Sequence, residues 1–272
     1  MKPQISIITI TFQAEAYLKR TIESVLNQNY QNIEYIIVDG ESKDGTLSII
    51  KEYEDIFRAK SITFHWISES DKGIYDAMNK GLKMATGDYI WFMNAGDKIS
   101  SNDCLDEIIK NIPAITSDKN DFQEAESAFL KKLPDFIYGE TFIVNEQGKI
   151  MGPRRLKAPE HLNWKSFKKG MLVCHQSMLV KRKIAPEFNL KYSYSSDFDW
   201  TIRCLRKSEK IHNTHMVLSY FLDGGVSKKK MKASLKERFH IMSENYGWFQ
   251  TVLRHFWFVC RAAWFKLLHG WI

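Results

Sequence analysis

The 272-residue chain has no run of ~18 uncharged apolar residues, the least that a helix needs to cross a bilayer. No transmembrane helix is therefore expected. Met1-Lys2-Pro3-Gln4 runs straight into a β-branched stretch, so no secretory signal is expected either. Cysteine is scarce. Cys104, Cys174, Cys204 and Cys260 lack metal or disulfide spacing and read as small hydrophobes in a reducing compartment. No RNA- or DNA-binding motif is present, and nucleic acid is not an expected partner.

What is present describes an ordinary globule, 44% apolar and 26% charged, long enough for one large core plus an extension. The net charge of +7 is uneven. Basic residues crowd into Lys149–Lys169 and Lys228–Arg238, while Asp106–Glu126 is acid-rich. Such basic clusters suit phosphorylated substrates or a membrane surface.

The apolar pattern alternates between strand and helix. Ile5 to Ile10 is a β-branched strand, and Ala14 to Gln28 is an amphipathic helix with Leu18, Ile22, Val25 and Leu26 on one face. Strands over Ile33–Val38, Ile62–Ile67 and Asp88–Met93 alternate with helices over Thr46–Phe57 and Ile74–Met84. This order predicts an α/β fold with a right-handed, mostly parallel sheet. Asn111 to Asp135, with Pro113 and Pro134, reads as an irregular or partly helical insert. A hairpin follows over Phe136–Val144 and Lys149–Met151. Further expectations are a strand over Met171–Val180, a helix over Ser196–Lys207 capped by Ser195 or Ser196, and a strand over Ile211–Leu222.

The chain is organised around GDYIWFMNAGD, Gly87 to Asp97. Its apolar run suits a strand covered on both faces. The polar turn Asn94-Ala95-Gly96-Asp97 puts a carboxylate beyond the carboxyl end of that strand, where open α/β sheets bind ligands. Asp39 likewise ends an apolar strand, and a bare carboxylate there needs a partner to offset desolvation. Asp44-Gly45-Thr46 can cap the helix that follows.

Ser68 to Gly81, SESDKGIYDAMNKG, followed by Ala85-Thr86-Gly87-Asp88, resembles the inverting glycosyltransferases of family 2. Within that family it is similar to the branch that builds bacterial surface polysaccharides. The resemblance covers most of Ile5 to Ser227 and implies a GT-A fold, a nucleotide-diphosphate sugar donor and a divalent metal, Mn2+ or Mg2+. Thr11 and Phe12 stand where the family has threonine and tyrosine, which implies that Phe12 flanks the base; the alternative is a core aromatic. Asp39 takes the base-contacting position, with Gly40 in place of a second aspartate. Glu69 and Asp71 are implied at the base or ribose, Asn94 at the ribose, and Asn79 in the nucleotide set or in helix–loop packing. The usual acidic metal triplet is reduced here, so Asp97 is left as the metal ligand nearly alone.

In SSDFDW the resemblance implies that Asp197 is the catalytic base, with Asp199 and Arg203 paired one helical turn apart. His175 and Gln176 match a position beside the acceptor pocket, with a satisfied core histidine as the alternative. Arg154 and Arg155 suit an acceptor pyrophosphate, or a solvated basic loop. Gly224-Gly225-Val226-Ser227 is implied to close near the diphosphate.

The tail, Trp248 to Ile272, reads as an amphipathic helix. Arg254, His255, Arg261, Lys266 and His269 share one arc; Phe249, Val252, Phe256, Val259, Cys260, Ala263, Leu267 and Trp271 face the other way. Bulky aromatics with basic residues suit a membrane interface, and the Lys228–Arg238 cluster adds attraction to anionic lipid. The alternative is packing on the catalytic domain or on a second copy in a homodimer.

The expectation is thus a catalytic domain over 1–227 and a basic amphipathic extension over 228–272. It would transfer sugar to a lipid-linked or saccharide acceptor as a cytoplasmic protein, peripheral at the inner face of the cell membrane. Two rivals stand beside it. A nucleotidyltransferase needs a glycine-rich, basic phosphate loop, which Thr11-Phe12-Gln13-Ala14-Glu15 is not. A catalytically weak, membrane-docked nucleotide-sugar binding or scaffold module would account for the reduced metal motif.

Overall fold

The computed structural model describes residues 2–112, 126–224 and 230–269. The first half alternates as the pattern predicts: β1 (Ile5–Thr11), α1 (Leu18–Leu26), β2 (Ile33–Asp39), α2 (Thr46–Ala59), β3 (Thr63–Ser68), α3 (Ile74–Met84) and β4 (Tyr89–Phe92). There follow β5 (Lys98–Ile99), α4 (Cys104–Lys110), α5 (Glu126–Lys132), β6 (Phe136–Val144) and β7 (Ile150–Pro153). The chain ends with β8 (Met178–Lys181), α6 (Ser196–Lys207), β9 (Ile211–Leu222), α7 (Met231–Tyr246) and α8 (Trp248–His269).

These strands form one sheet in the order β3-β2-β1-β4-β8-β6-β9-β5, with β7 paired to β6. The β3-β2-β1-β4 half is wholly parallel, whereas β8 runs antiparallel to both β4 and β6. Every residue of β1 and β2 is buried, as a strand covered on both faces requires. Ile5 and Ile7 point to the side covered by α1 and α2, through Leu18, Ile22, Val25, Ile50 and Phe57. Ile8 and Ile10 point to the opposite core, with Tyr75 and Met78 of α3 and Phe198 and Trp200 of α6.

Two sequence expectations are corrected. Met171–Val180 is not one strand: Leu172 and Val173 are buried in the α3/α6 core, and His175–Ser177 forms a 3-10 turn. Only Met178–Lys181 enters the ladder, so burial rather than extension accounts for the apolar run. The helix expected from Ala14 begins at Leu18, after a turn closed by Tyr17 N–H on the Ala14 carbonyl at 2.9 Å. Ser195 holds the N-cap position of α6, but its hydroxyl bonds to Ser234 of α7 instead of the helix amides.

Helix α7 is bound to the segment that leads into α6. Glu237 accepts from the Ser193 and Tyr194 amides, both at 2.9 Å, and Glu244 meets Lys191 and Tyr192 at 2.8 Å. Helix α8 then packs through Thr251, His255 and Phe258, while Phe249, Leu253, Phe256 and Trp257 stand exposed. No described helix is long and apolar enough to cross a membrane.

Candidate active site

The parallel register brings the chemistry-bearing loops to one edge. Thr11 lies beside Asp39, and Asp39 beside Ser68, at the carboxyl ends of β1, β2 and β3. The Asn94–Asp97 turn joins them because Ala95 N–H bonds to the Ile10 carbonyl at 3.1 Å. This is the edge where open α/β sheets hold ligands.

At the β1/β2 end, Phe12 is 64% exposed, which rules out the core alternative. Thr11 is buried, and its hydroxyl has no partner among the described residues. Asp39 is fully buried but not bare. Its oxygens accept from Ser42 Oγ at 2.5 Å, Ser42 N–H at 2.9 Å and Ser68 Oγ at 2.7 Å. The inference that its burial calls for a ligand is thereby corrected: two serines already offset the desolvation. A Cβ at Gly40 would stand 2.6 Å from Asp71 Oδ2 and 3.2 Å from the Phe12 ring. The Asp71 carboxylate thus lies against Gly40, in space that a side chain there would fill. Glu69 is exposed and pairs with Lys80 at 2.9 Å. The Asn79 side chain is engaged in packing. Its buried amide donates to the Phe188 carbonyl at 3.0 Å and accepts from the Phe188 amide at 2.6 Å, fixing α3 to the loop before α6.

Asp97 is 3% exposed. Its oxygens accept from the Leu222 amide at 2.9 Å and from Gln176 Nε2 at 2.7 Å. Burial pushes its carboxyl up to about 6, against the opposing pull of those two hydrogen bonds and His175. No trio of His, Cys, Asp or Glu among the described residues is arranged to hold a metal. The donor set nevertheless fits a cation that takes most of its ligands from phosphate and water. Asp97 is a buried carboxylate with spare lone pairs, and Asn94 Oδ1 is buried without a partner among the described residues.

Asp197 opens the first turn of α6 and is held from two sides. Tyr75 of α3 donates to Oδ1 at 3.0 Å, and His175 Nδ1 lies 3.4 Å from Oδ2, an electrostatic contact more than an aligned hydrogen bond. The other ring nitrogen of His175 meets the Asn94 amide at 3.2 Å. Burial alone would raise the Asp197 carboxyl, but His175, Arg238 and the Tyr75 hydroxyl outweigh it and hold it below its ordinary value. Asp197 is therefore ionised at neutral pH and can accept a proton. Asp199 and Arg203 pair at 2.7 Å, and Arg203 also ties down the Glu187 carbonyl. Arg154 is half-buried and bonds to the Met171 carbonyl at 3.2 Å, while Arg155 is exposed. Gly225 to Ser227 of the expected closing loop lie outside the described residues.

Nothing in the sequence singles out Tyr75, because its role depends on a contact with a residue 122 positions along the chain. Removing its hydroxyl in Tyr75→Phe is expected to cut turnover roughly tenfold, the worth of one hydrogen bond to a charged group. It should also raise the acid limb of the pH–rate profile, a change that a purely structural role would not produce.

The match to known proteins is broad. The family model described as glycosyl transferase family 2 matches residues 6–185. The chain belongs to that family. A PGL/p-HBAD biosynthesis glycosyltransferase of Mycobacterium bovis is 29% identical over 231 residues, 83% of this chain and 79% of that protein. An uncharacterized glycosyltransferase of Haemophilus influenzae is 30% identical over 84% of this chain and 99% of its own length. A 38% match to an uncharacterized glycosyltransferase of Mycobacterium tuberculosis spans only 39% of that protein. Among solved structures, residues 1–349 of S. aureus TarS in complex with UDP-GlcNAc superpose with a TM-score of 0.64 at 16% identity, over 94% of this chain and 73% of that one. The longer TarS chain is covered to 40%. The mannosyltransferase PcManGT from Pyrobaculum calidifontis, in complex with GDP-Man and Mn2+, gives 0.55 at 13% identity, over all of this chain and 77% of that one. The fold is that of GT-A glycosyltransferases, and this member of family 2 is a glycosyltransferase.

Proposed function

We propose that the chain inverts the anomeric centre of a nucleotide-diphosphate sugar as it transfers the sugar to a hydroxyl of a lipid-linked or saccharide acceptor. The observation that carries this reading is the His175-Gln176 pair. One residue contacts Asp197 and Asn94, and the next holds Asp97, so a candidate base and a candidate metal ligand are joined by adjacent side chains.

In this reading the acceptor oxygen forms its bond to the anomeric carbon as its proton passes to Asp197 Oδ2. The bond from that carbon to the diphosphate oxygen breaks, and the nucleoside diphosphate leaves with the electron pair. Tyr75 and His175 orient the carboxylate and keep it ionised. Gln176 and the Leu222 amide fix Asp97, which together with the donor diphosphate would hold the divalent ion. That ion, when bound, supplies Lewis-acid charge for the leaving phosphate. Thr11, Phe12, Asp39 and Asp71 form the nucleoside end, with the exposed Phe12 ring as a stacking surface. The test is nucleotide release from a panel of UDP-, GDP- and dTDP-sugars with Mn2+ or Mg2+. Release from one donor that chelation abolishes supports the reading; no release together with no metal-dependent nucleotide binding by calorimetry overturns it and leaves a scaffold.

The same reading seats the enzyme on an anionic lipid surface through α8. Phe249 and Phe256 are 69% and 70% exposed beside Leu253 and Trp257, and Lys230, Lys232 and Lys236 are exposed at the start of α7. Exposed aromatics on one helix and exposed lysines on the other complement an anionic lipid surface. Sedimentation with phosphatidylglycerol vesicles, but not with phosphatidylcholine vesicles, is expected, and Phe249→Ser/Phe256→Ser should abolish it. Equal recovery with both vesicles, or a dimer that the double variant dissolves, would give this face to protein instead.

A further inference from the structure

Arg238 lies on α7, in a basic run that the sequence presents as a solvated surface, yet its side chain turns inward. Its neighbours on that helix face are committed to the segment before Asp197: Ser234 to Ser195, and Glu237 to the Ser193 and Tyr194 amides. Arg238 is half-buried, with its guanidinium 5.9 Å from the centroid of the Phe198 ring, next to Asp197. Its Nε is buried and finds no hydrogen-bond partner among the described residues. An orphaned guanidinium N–H is costly, because desolvation of a charged donor is not returned by any bond. The carboxylate of Asp197 gives it an electrostatic neighbour without a hydrogen bond. Five N–H donors in a planar fork match carboxylate and phosphate geometry, and of these two groups the proposed substrates carry phosphate.

We infer that Arg238 docks a phosphate group of a substrate at the Asp197 end of the site, so that α7 supplies part of the binding machinery. The inference rests on the glycosyl-transfer reading, which provides two sources of such a group: the donor diphosphate and a phosphate borne by the acceptor. The phosphate's oxygens would accept from the guanidinium N–H groups. The Phe198 ring, 5.9 Å from the guanidinium, packs against the fork.

The test is calorimetry of wild type, Arg238→Gln and Arg238→Lys with UDP, GDP, dTDP and farnesyl diphosphate, with uridine and farnesol as phosphate-free controls. Melting temperatures of all three proteins confirm folding. The expected result is a loss of about tenfold or more in diphosphate affinity for Arg238→Gln, partly restored in Arg238→Lys, with the controls unchanged. A loss confined to nucleotides assigns the group to the donor; a loss confined to farnesyl diphosphate assigns it to the acceptor. Unchanged diphosphate affinity in a folded Arg238→Gln, with donor turnover intact in wild type, overturns this inference alone. If the acid limb of its pH–rate profile also moves, Arg238 is only a counter-ion of Asp197. A wild-type chain that binds none of the probes removes the donor reading and this inference together.

Discussion

Asp197→Asn is expected to slow sugar transfer by about 10²–10⁴-fold, the usual worth of a general base, while nucleoside-diphosphate affinity changes little. Asparagine keeps the shape of the side chain and an oxygen that can accept from Tyr75, so the start of α6 should not move. What it loses is the ability to take a proton. Because His175, Arg238 and Tyr75 hold the wild-type carboxyl below its ordinary value, the base is ionised throughout the neutral range. Rates of nucleotide release and calorimetric affinities, measured on the same preparation, check the prediction. A variant within tenfold of wild type would move the base elsewhere.

Asp97→Asn should have the opposite signature, a gain in stability of the metal-free protein together with loss of activity. Burial raises the folded-state carboxyl from an ordinary 3.8 to about 6. A raised carboxyl contributes stability that is full below its unfolded value and is lost as pH rises through about 6. The gap corresponds to at most about 3 kcal/mol. At pH 7.5 the wild type therefore holds a buried charge that its two hydrogen bonds offset only in part. Lowering the pH towards 5 should raise its melting temperature more than that of Asp97→Asn, since only the wild type regains the proton. Mn2+ at pH 7.5 should stabilise the wild type and leave the variant unmoved. Parallel pH profiles for the two proteins, or equal responses to Mn2+, would show that Asp97 neither bears that charge nor meets the ion.

The parallel half of the fold was legible because its strands are buried on both faces and its helices are amphipathic. Ile74–Met84 was bounded correctly by Gly73 on one side and Ala85-Thr86-Gly87 on the other. Legibility failed where burial and extension part company, as at Met171–Val173, which is apolar without being a strand. It failed again at α7, where Ser234, Glu237 and Arg238 turn inward beside the buried Ile241 and Met242 and so break up the apolar stripe. In the site, Asp97, His175 and Asp197 were named from the chain, and the structure gathers them. Tyr75, the Leu222 amide and the serine partners of Asp39 were not, because each acts through a contact between distant residues or through backbone. Asn79 shows the converse, a motif residue whose amide is committed to packing.

In the proposed reaction a single displacement, assisted by Asp197, would invert the anomeric carbon. Its most direct test is the anomeric configuration of the sugar freed from an α-linked nucleotide-sugar, followed by NMR before mutarotation. Water in the acceptor's position should release the β-anomer first, and Asp197→Asn should suppress that signal. First appearance of the α-anomer would mean retention and would contradict the account.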